Sequence, residues 1–202
     1  KKSQLSILYK QLVNSNKIVT NVKFEKLNNV KPMRGKSGVT VIAVIMSDKP
    51  NNQPFTCKWD CSYCPKEPGQ PRSYLSGEPA MRRATRHNFS VQGQINDRFN
   101  CYLRNGVISV EDFNNPKHMF KCEFILSGGT WECYPEDYRD SVIQELYWAC
   151  NVYGKKTSDG IFPDMKPLEE EIMNNETAKF RVIGMTLETR PDFITKYSIR
   201  KY

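Results

Sequence analysis

The chain has 202 residues, a formal charge of +8, 39% hydrophobic residues and seven cysteines. A chain of that length buries about 70% of the surface its unfolded form exposes, so a globular fold is expected. It lacks a run of about eighteen apolar residues and an opening basic, apolar, small-residue signal, which argues against a membrane span and against export. An odd cysteine count with three thiols crowded together suits metal ligation in a reducing compartment better than a disulfide framework, and the expected location is the cytoplasm.

The charge is unevenly distributed. Residues 1–37 hold nine basic side chains against the single acid Glu25, while the remainder balances 21 basic with 21 acidic residues. Such a flank is either a solvated, lysine-rich surface or one that meets phosphates. It begins with the helical spacing of Leu5, Leu8, Leu12 and Val13, which predicts a short amphipathic helix over residues 3–13. Next comes "GVTVIAVIM" (38–46), apolar and β-branched throughout, the pattern of a strand buried on both faces. Two similar runs follow, "CEFILSGGT" (122–130) and "FRVIGMTLETRP" (180–191).

Helical stretches lie between these strands. One opens at Pro79 and is expected to continue to about Leu103, where Asn105 and Gly106 end it. A second, "PEDYRDSVIQELYWAC", has acids at its start and Tyr138, Val142, Ile143, Leu146 and Cys150 on one face. A third is "PLEEEIMNNE", and residues 155–167 look like a surface loop. This alternation predicts right-handed βαβ units and a parallel sheet, with a division into a basic segment (1–37) and an α/β unit (38–202). The final "ITKYSIRKY" begins like another helix, and the chain is expected to be part of a longer protein.

The stretch "TCKWDCSYCPKEPG" (56–69) places Cys57, Cys61 and Cys64 on a loop after the first strand, at the carboxyl-end face where parallel α/β folds hold ligands. A structural zinc needs a fourth ligand, and Cys101, Cys122, His87 or His118 would have to supply it. An iron–sulfur cube with three thiolates would instead leave one iron open. The remaining cysteines, Cys101, Cys122, Cys133 and Cys150, read as packing thiols. Two glycines end the second strand in "SGGT", which alone means only a tight turn. At the end of the third, Glu188 and Arg190 either pair with each other or face a ligand. Trp131 either lines the pocket or packs in the core.

The spacing C-x3-C-x2-C, with Tyr63 before the last cysteine, resembles the radical S-adenosylmethionine superfamily. Within it, "KPMRGKSGVTVIAVIM", "SYLSGEPAMRRATRHN", "ILSGGTWECYPEDYRD" and "VIGMTLETRPDF" resemble, in order, segments of the catalytic subunit of Elongator, the tRNA wobble-uridine acetyltransferase family. "PEDYRD" and "TLETRPD" are the most specific of these. The resemblance implies a partial (β/α) barrel, incomplete in this chain, and a [4Fe–4S] cluster on Cys57, Cys61 and Cys64. It further implies S-adenosylmethionine held by Tyr63, Ser127, Gly128, Gly129, Thr130, Glu188 and Arg190, with no catalytic side chain assigned beyond these.

Acetyl-CoA is the implied co-substrate, although no glycine-rich loop of its binding domain is found in the sequence. The implied partners are tRNA, an electron donor for the cluster and other Elongator-type subunits. The implied course is reductive cleavage to a 5′-deoxyadenosyl radical, hydrogen abstraction from the acetyl methyl group, and addition of the carbon radical at carbon 5 of the uridine. The spacing of the first two cysteines is shorter than is usual in eukaryotic members. For RNA, Lys23, Lys26, Lys31, Arg34 and Lys36, with Phe24 for stacking, form a track that Arg82, Arg83 and Arg86 extend. Competing readings are another radical enzyme acting on tRNA, a methylthiotransferase or methylase, and a non-catalytic zinc-containing RNA-binding module.

Overall fold

The computed structural model describes residues 2–28, 37–155 and 161–202. Three strands, β1 (Val39–Ile45), β2 (Phe120–Ser127) and β3 (Phe180–Leu187), form one sheet in the order β1-β2-β3. Both pairings are parallel, with Val39 opposite Lys121 and Phe120 opposite Phe180. Parallel neighbours need crossovers. Helices α3 (Pro79–Arg86), α4 (Val91–Arg104) and α5 (Val110–Asn114) span the first, and α6 (Glu136–Val152) and α7 (Leu168–Asn175) the second. Helices α1 (Lys2–Asn14) and α2 (Val22–Asn28) precede the sheet, and α8 (Lys196–Lys201) follows it. The expected alternation is present; the described residues form an open three-stranded sheet and not a barrel.

The core lies on one face of that sheet. Ile42 and Val44 of β1, Phe124 and Leu126 of β2 and Phe180 of β3 meet Ile95 and Phe99 of α4 and Val142, Leu146 and Cys150 of α6. Phe99 stacks on Phe180 with ring centroids 3.8 Å apart. The other face is only partly covered: Val41 is 45% and Ile183 52% exposed. β1 is therefore not buried on both faces. Its β-branched run is the same whichever face the helices cover, so the sequence could not distinguish the two cases.

The helix expected from Pro79 to Leu103 is broken. Asn88 and Phe89 take positive φ, 49° and 59°, and Ser90 begins α4 anew by accepting a hydrogen bond from the Gly93 amide at 3.1 Å. Asparagine tolerates the left-handed region and serine is a preferred N-cap, so "HNFS" holds a stop and a start. The corner is fastened to α6, where Glu145 Oε1 accepts from Ser90 Oγ and the Gln92 amide.

The free edge of β1 is covered by side chains. Gln94, fully buried, accepts from the Ile45 amide and donates to the Ile45 carbonyl, both at 2.9 Å. Tyr102 Oη donates to the Val41 carbonyl at 2.8 Å, and Arg83 Nη2 donates to the Ala43 carbonyl. Edge carbonyls and amides would otherwise be open to a second chain. Gln94→Leu strands two buried backbone groups, which should cost roughly 3 kcal/mol and lower the urea midpoint without changing the slope.

Arg83, expected beside Arg82 and Arg86 as an RNA contact, instead turns inward against β1. It is 7% exposed and capped onto β1, and burial lowers its pKa to about 10. Arg82 and Arg86 remain exposed, Arg86 within 3.4 Å of Asp97. In the N-terminal segment, Ser6 and Lys10 donate to the carbonyls of Arg104 and Leu103, so α1 rests on the C-terminal end of α4, where a cation is favoured. Phe24 packs on Tyr9 and lines an apolar groove with Leu5, Leu8 and Leu12. Lys23 and Lys26 are exposed. Lys31, Arg34 and Lys36 lie outside the described residues, as does the part of the predicted 155–167 loop at 156–160.

Candidate functional site

The segment between β1 and α3 has no regular structure beyond one turn of 3₁₀ helix (Pro50–Asn52), and it carries the three cysteines over the carboxyl end of the sheet. There they line a cavity of about 190 Å³ together with Trp59, Tyr63, Arg72, Ser73, Gly129, Thr130, Glu188, Thr189 and Arg190. Residues from three separate stretches of sequence thus converge. Their source is the ends of the three strands: β2 runs into the glycines, β3 into Glu188 to Arg190. Those ends are tied together, since the Glu188 amide donates to the Leu126 carbonyl at 3.2 Å and the Trp131 amide to the Glu188 carbonyl at 2.7 Å.

Each thiol has its own neighbour. Cys57 Sγ lies 3.4 Å from Thr130 Oγ1, Cys64 Sγ 3.0 Å from Ser73 Oγ, and Arg190 Nη1 3.4 Å from Cys61 Sγ. Burial raises the pKa of Cys57, but the Thr130 hydroxyl and the backbone amides of Trp59 and Thr130 outweigh it, leaving the thiol more acidic than usual. Among the described residues no three His, Cys, Asp or Glu side chains close around a single point at ion-binding range; the thiols are spread along the cavity wall. The donor chemistry, three thiols on one cavity with a guanidinium against one of them, fits an anionic metal–sulfur group.

The two glycines divide the work. Gly129, at φ +107°, faces the cavity, and a Cβ there would rest 3.6 Å from Cys57 Cβ. Gly128, at φ +152°, does not line the cavity; a Cβ would fall 2.7 Å from Tyr134 Oη and 2.8 Å from Met46 Cβ. Its carbonyl accepts from Tyr134 Oη at 2.8 Å. Ser127 is buried and its carbonyl accepts from the Met46 amide at 2.7 Å, joining β2 to β1 below the cavity.

Glu188 and Arg190 do not pair with each other. Arg190 forms a two-pronged ion pair with Asp192, at 3.0 and 3.1 Å, and lies over the Trp59 ring at 4.6 Å. Asp192 holds the Arg190 guanidinium still further above its ordinary pKa. Glu188 instead accepts from Tyr74 Oη at 2.5 Å. Tyr63 is 81% exposed at the rim, and Trp131 is a core residue at 1% exposure.

Sequence reasoning missed Trp59, Arg72, Ser73 and Tyr74, whose positions follow no periodicity. Of the proposed fourth ligands, Cys122 is fully buried in β2, its thiol pushed up to about 12 by desolvation, and Cys101 and His87 lie on and before α4. Cys133 sits in the turn Trp131–Cys133 directly after "SGGT", and its thiol meets that of Cys57. The short distance in sequence from the glycine pair was the available signal.

Together these features define a parallel α/β domain with a cavity at the carboxyl ends of its strands, lined by three thiols. No protein-family profile matches the chain. Over most of its length it is homologous to Elongator complex protein 3. It is 32% identical to the Drosophila melanogaster protein and 33% to the human one, over 84% and 82% of this chain. A protein named tRNA uridine(34) acetyltransferase from Dehalococcoides mccartyi is 31% identical over 85% of the chain. The chain spans only 28% of the length of the two animal relatives and 32% of the bacterial one. Among solved structures, the archaeal Elp3 of Methanocaldococcus infernus, lacking its residues 1–46, shares the fold with a TM-score of 0.50 and 24% identity over 81% of this chain and 26% of that one.

Proposed function

We propose that the chain carries the cluster-binding part of a radical S-adenosylmethionine enzyme that modifies the wobble uridine of tRNA at carbon 5, with a carboxymethyl group drawn from acetyl-CoA. The observation that carries the reading is the single cavity into which Cys57, Cys61, Cys64, Gly129, Thr130, Glu188 and Arg190 all converge. Cys57, Cys61 and Cys64 would hold a [4Fe–4S] cluster; with S-adenosylmethionine bound, that pair supplies the one-electron cleavage of a carbon–sulfur bond.

The chain's own residues do the rest. Gly129 and Thr130 offer backbone at close approach, and Glu188 accepts hydrogen bonds from ligand amino or hydroxyl groups. Arg190, held by Asp192, supports Cys61 and, through Trp59, the cysteine loop, a different role from pairing with a ligand's carboxylate. Exposed Lys23, Lys26, Arg82 and Arg86 are the described basic residues for RNA. Acetyl-CoA binding, other Elongator-type subunits and the electron donor belong to the same proposal, as does action in the cytoplasm; among the described residues no helix is long and apolar enough to cross a membrane.

The zinc reading has one feature in its favour, the electrostatic coupling of the Cys133 and Cys57 thiols. Anaerobic reconstitution followed by iron, sulfide and zinc analysis decides between them. About four irons and four sulfides per chain are expected; about one zinc without sulfide would overturn the radical reading.

A further inference from the structure

We propose that Tyr74 is the positioning residue of this cavity: its phenol holds the Glu188 carboxylate with one oxygen turned to the ligand, and selects a ligand that presents ammonium or hydroxyl donors. The inference rests on the reading of the cavity as an S-adenosylmethionine site.

Tyr74 belongs to the loop between the cysteines and α3, and its ring packs against the cluster of Ile45, Met81 and Ala84. Hydrophobic contact therefore sets where the phenol oxygen lies. From there it donates to Glu188 Oε2 at 2.5 Å, and the Ser127 hydroxyl stands beside it. One atom thus joins the cysteine loop, the end of β2 and the end of β3. Burial first, and Glu188 second, raise the phenol's pKa, so it remains a donor at any physiological pH.

The choice of donor has a chemical consequence. Arg190 is committed to Asp192, Trp59 and Cys61, and Arg72, the other arginine on the cavity wall, pairs with Asp60, so neither guanidinium forms an ion pair with Glu188 among the described residues. A phenol orients a carboxylate without cancelling its charge. The backbone of Glu188 is fixed at both its amide and its carbonyl, Oε2 is taken, and Oε1 has no hydrogen-bond partner among the described residues. The result is an acceptor oxygen at a set angle on the cavity wall, complementary to an amino group or a pair of ribose hydroxyls.

The test has two parts on the 202-residue chain. In the metal-free protein, the carboxyl carbon resonance of Glu188, assigned by its loss in Glu188→Gln, should shift in Tyr74→Phe; an unmoved resonance overturns the proposal. In the reconstituted protein, calorimetry with S-adenosylmethionine should show Tyr74→Phe raising Kd about tenfold, as loss of a hydrogen bond to a charged group implies. Glu188→Gln should weaken binding at least as much, and the double variant no further than Glu188→Gln alone. Parent-like binding by Tyr74→Phe, or effects that simply add, would remove Tyr74 from its role while leaving the cavity's reading intact. A parent chain that takes up the cluster and does not bind S-adenosylmethionine would overturn the reading itself, and the inference with it.

Discussion

Reconstituted under the same anaerobic conditions, Cys61→Ala should retain less than one iron per chain where the parent takes up about four, and Cys133→Ala should keep the parental amount. The contrast follows from position. Cys61 stands on the cavity wall with the Arg190 guanidinium against its sulfur, whereas Cys133 does not line the cavity and reaches it only through Cys57. Burial raises the Cys133 thiol, which leaves it the poorer ligand of the two partners. Loss of bound metal in Cys133→Ala, with zinc rather than iron in the parent, would instead make Cys133 the fourth ligand of a structural site. Iron, sulfide and zinc assays on the three proteins separate these outcomes without requiring turnover.

Gly128→Ala should have the largest effect on stability of any single methyl added near the site. The new Cβ would stand 2.7 Å from Tyr134 Oη and 2.8 Å from Met46 Cβ, and the latter is too close to its backbone to swing away. Tyr134 is buried, donates to the Gly128 carbonyl and stacks on Phe55 at 4.1 Å, so it cannot retreat without opening the core. Overpacking and a positive φ in a residue with a side chain together should cost about 3–5 kcal/mol, a fall of roughly 10 °C in Tm for a chain of this size. Gly129→Ala shares the positive-φ strain but meets only ordinary contacts, so it should lose less, with its further effect on ligand binding. Thermal unfolding of the two variants side by side checks the division of labour; equal shifts would contradict it.

The strands, their parallel order and the helices α1, α6 and α7 were legible because each follows from a pattern of residues near one another in the chain. So were the three cysteines and the family resemblance, since thiol spacing and short charged motifs survive as linear signals. The break at Asn88–Ser90 was legible in principle: a residue tolerant of positive φ before an N-capping serine outweighs the helical pattern that runs through it. What "VTVIAVI" could not reveal is which face of β1 the helices cover, because a β-branched run looks alike on either side.

Partnership across long separations needed the fold. Arg83 and Arg86 are three residues apart on one short helix, yet one caps β1 from within and the other faces solvent. Glu188 and Arg190 look like a natural ion pair in sequence; the structure gives the acid to Tyr74, 114 residues earlier, and the base to Asp192 and Cys61. Cys133 reads as filler until the turn after β2 brings it to Cys57. The strands, most of the helices, the thiol triplet and the kinship could be read from the chain alone, since those depend on local periodicity and spacing. Who neutralises, orients or touches whom emerges from the folded arrangement, because hydrogen bonds and ion pairs act over a few ångströms of space and are indifferent to distance along the chain.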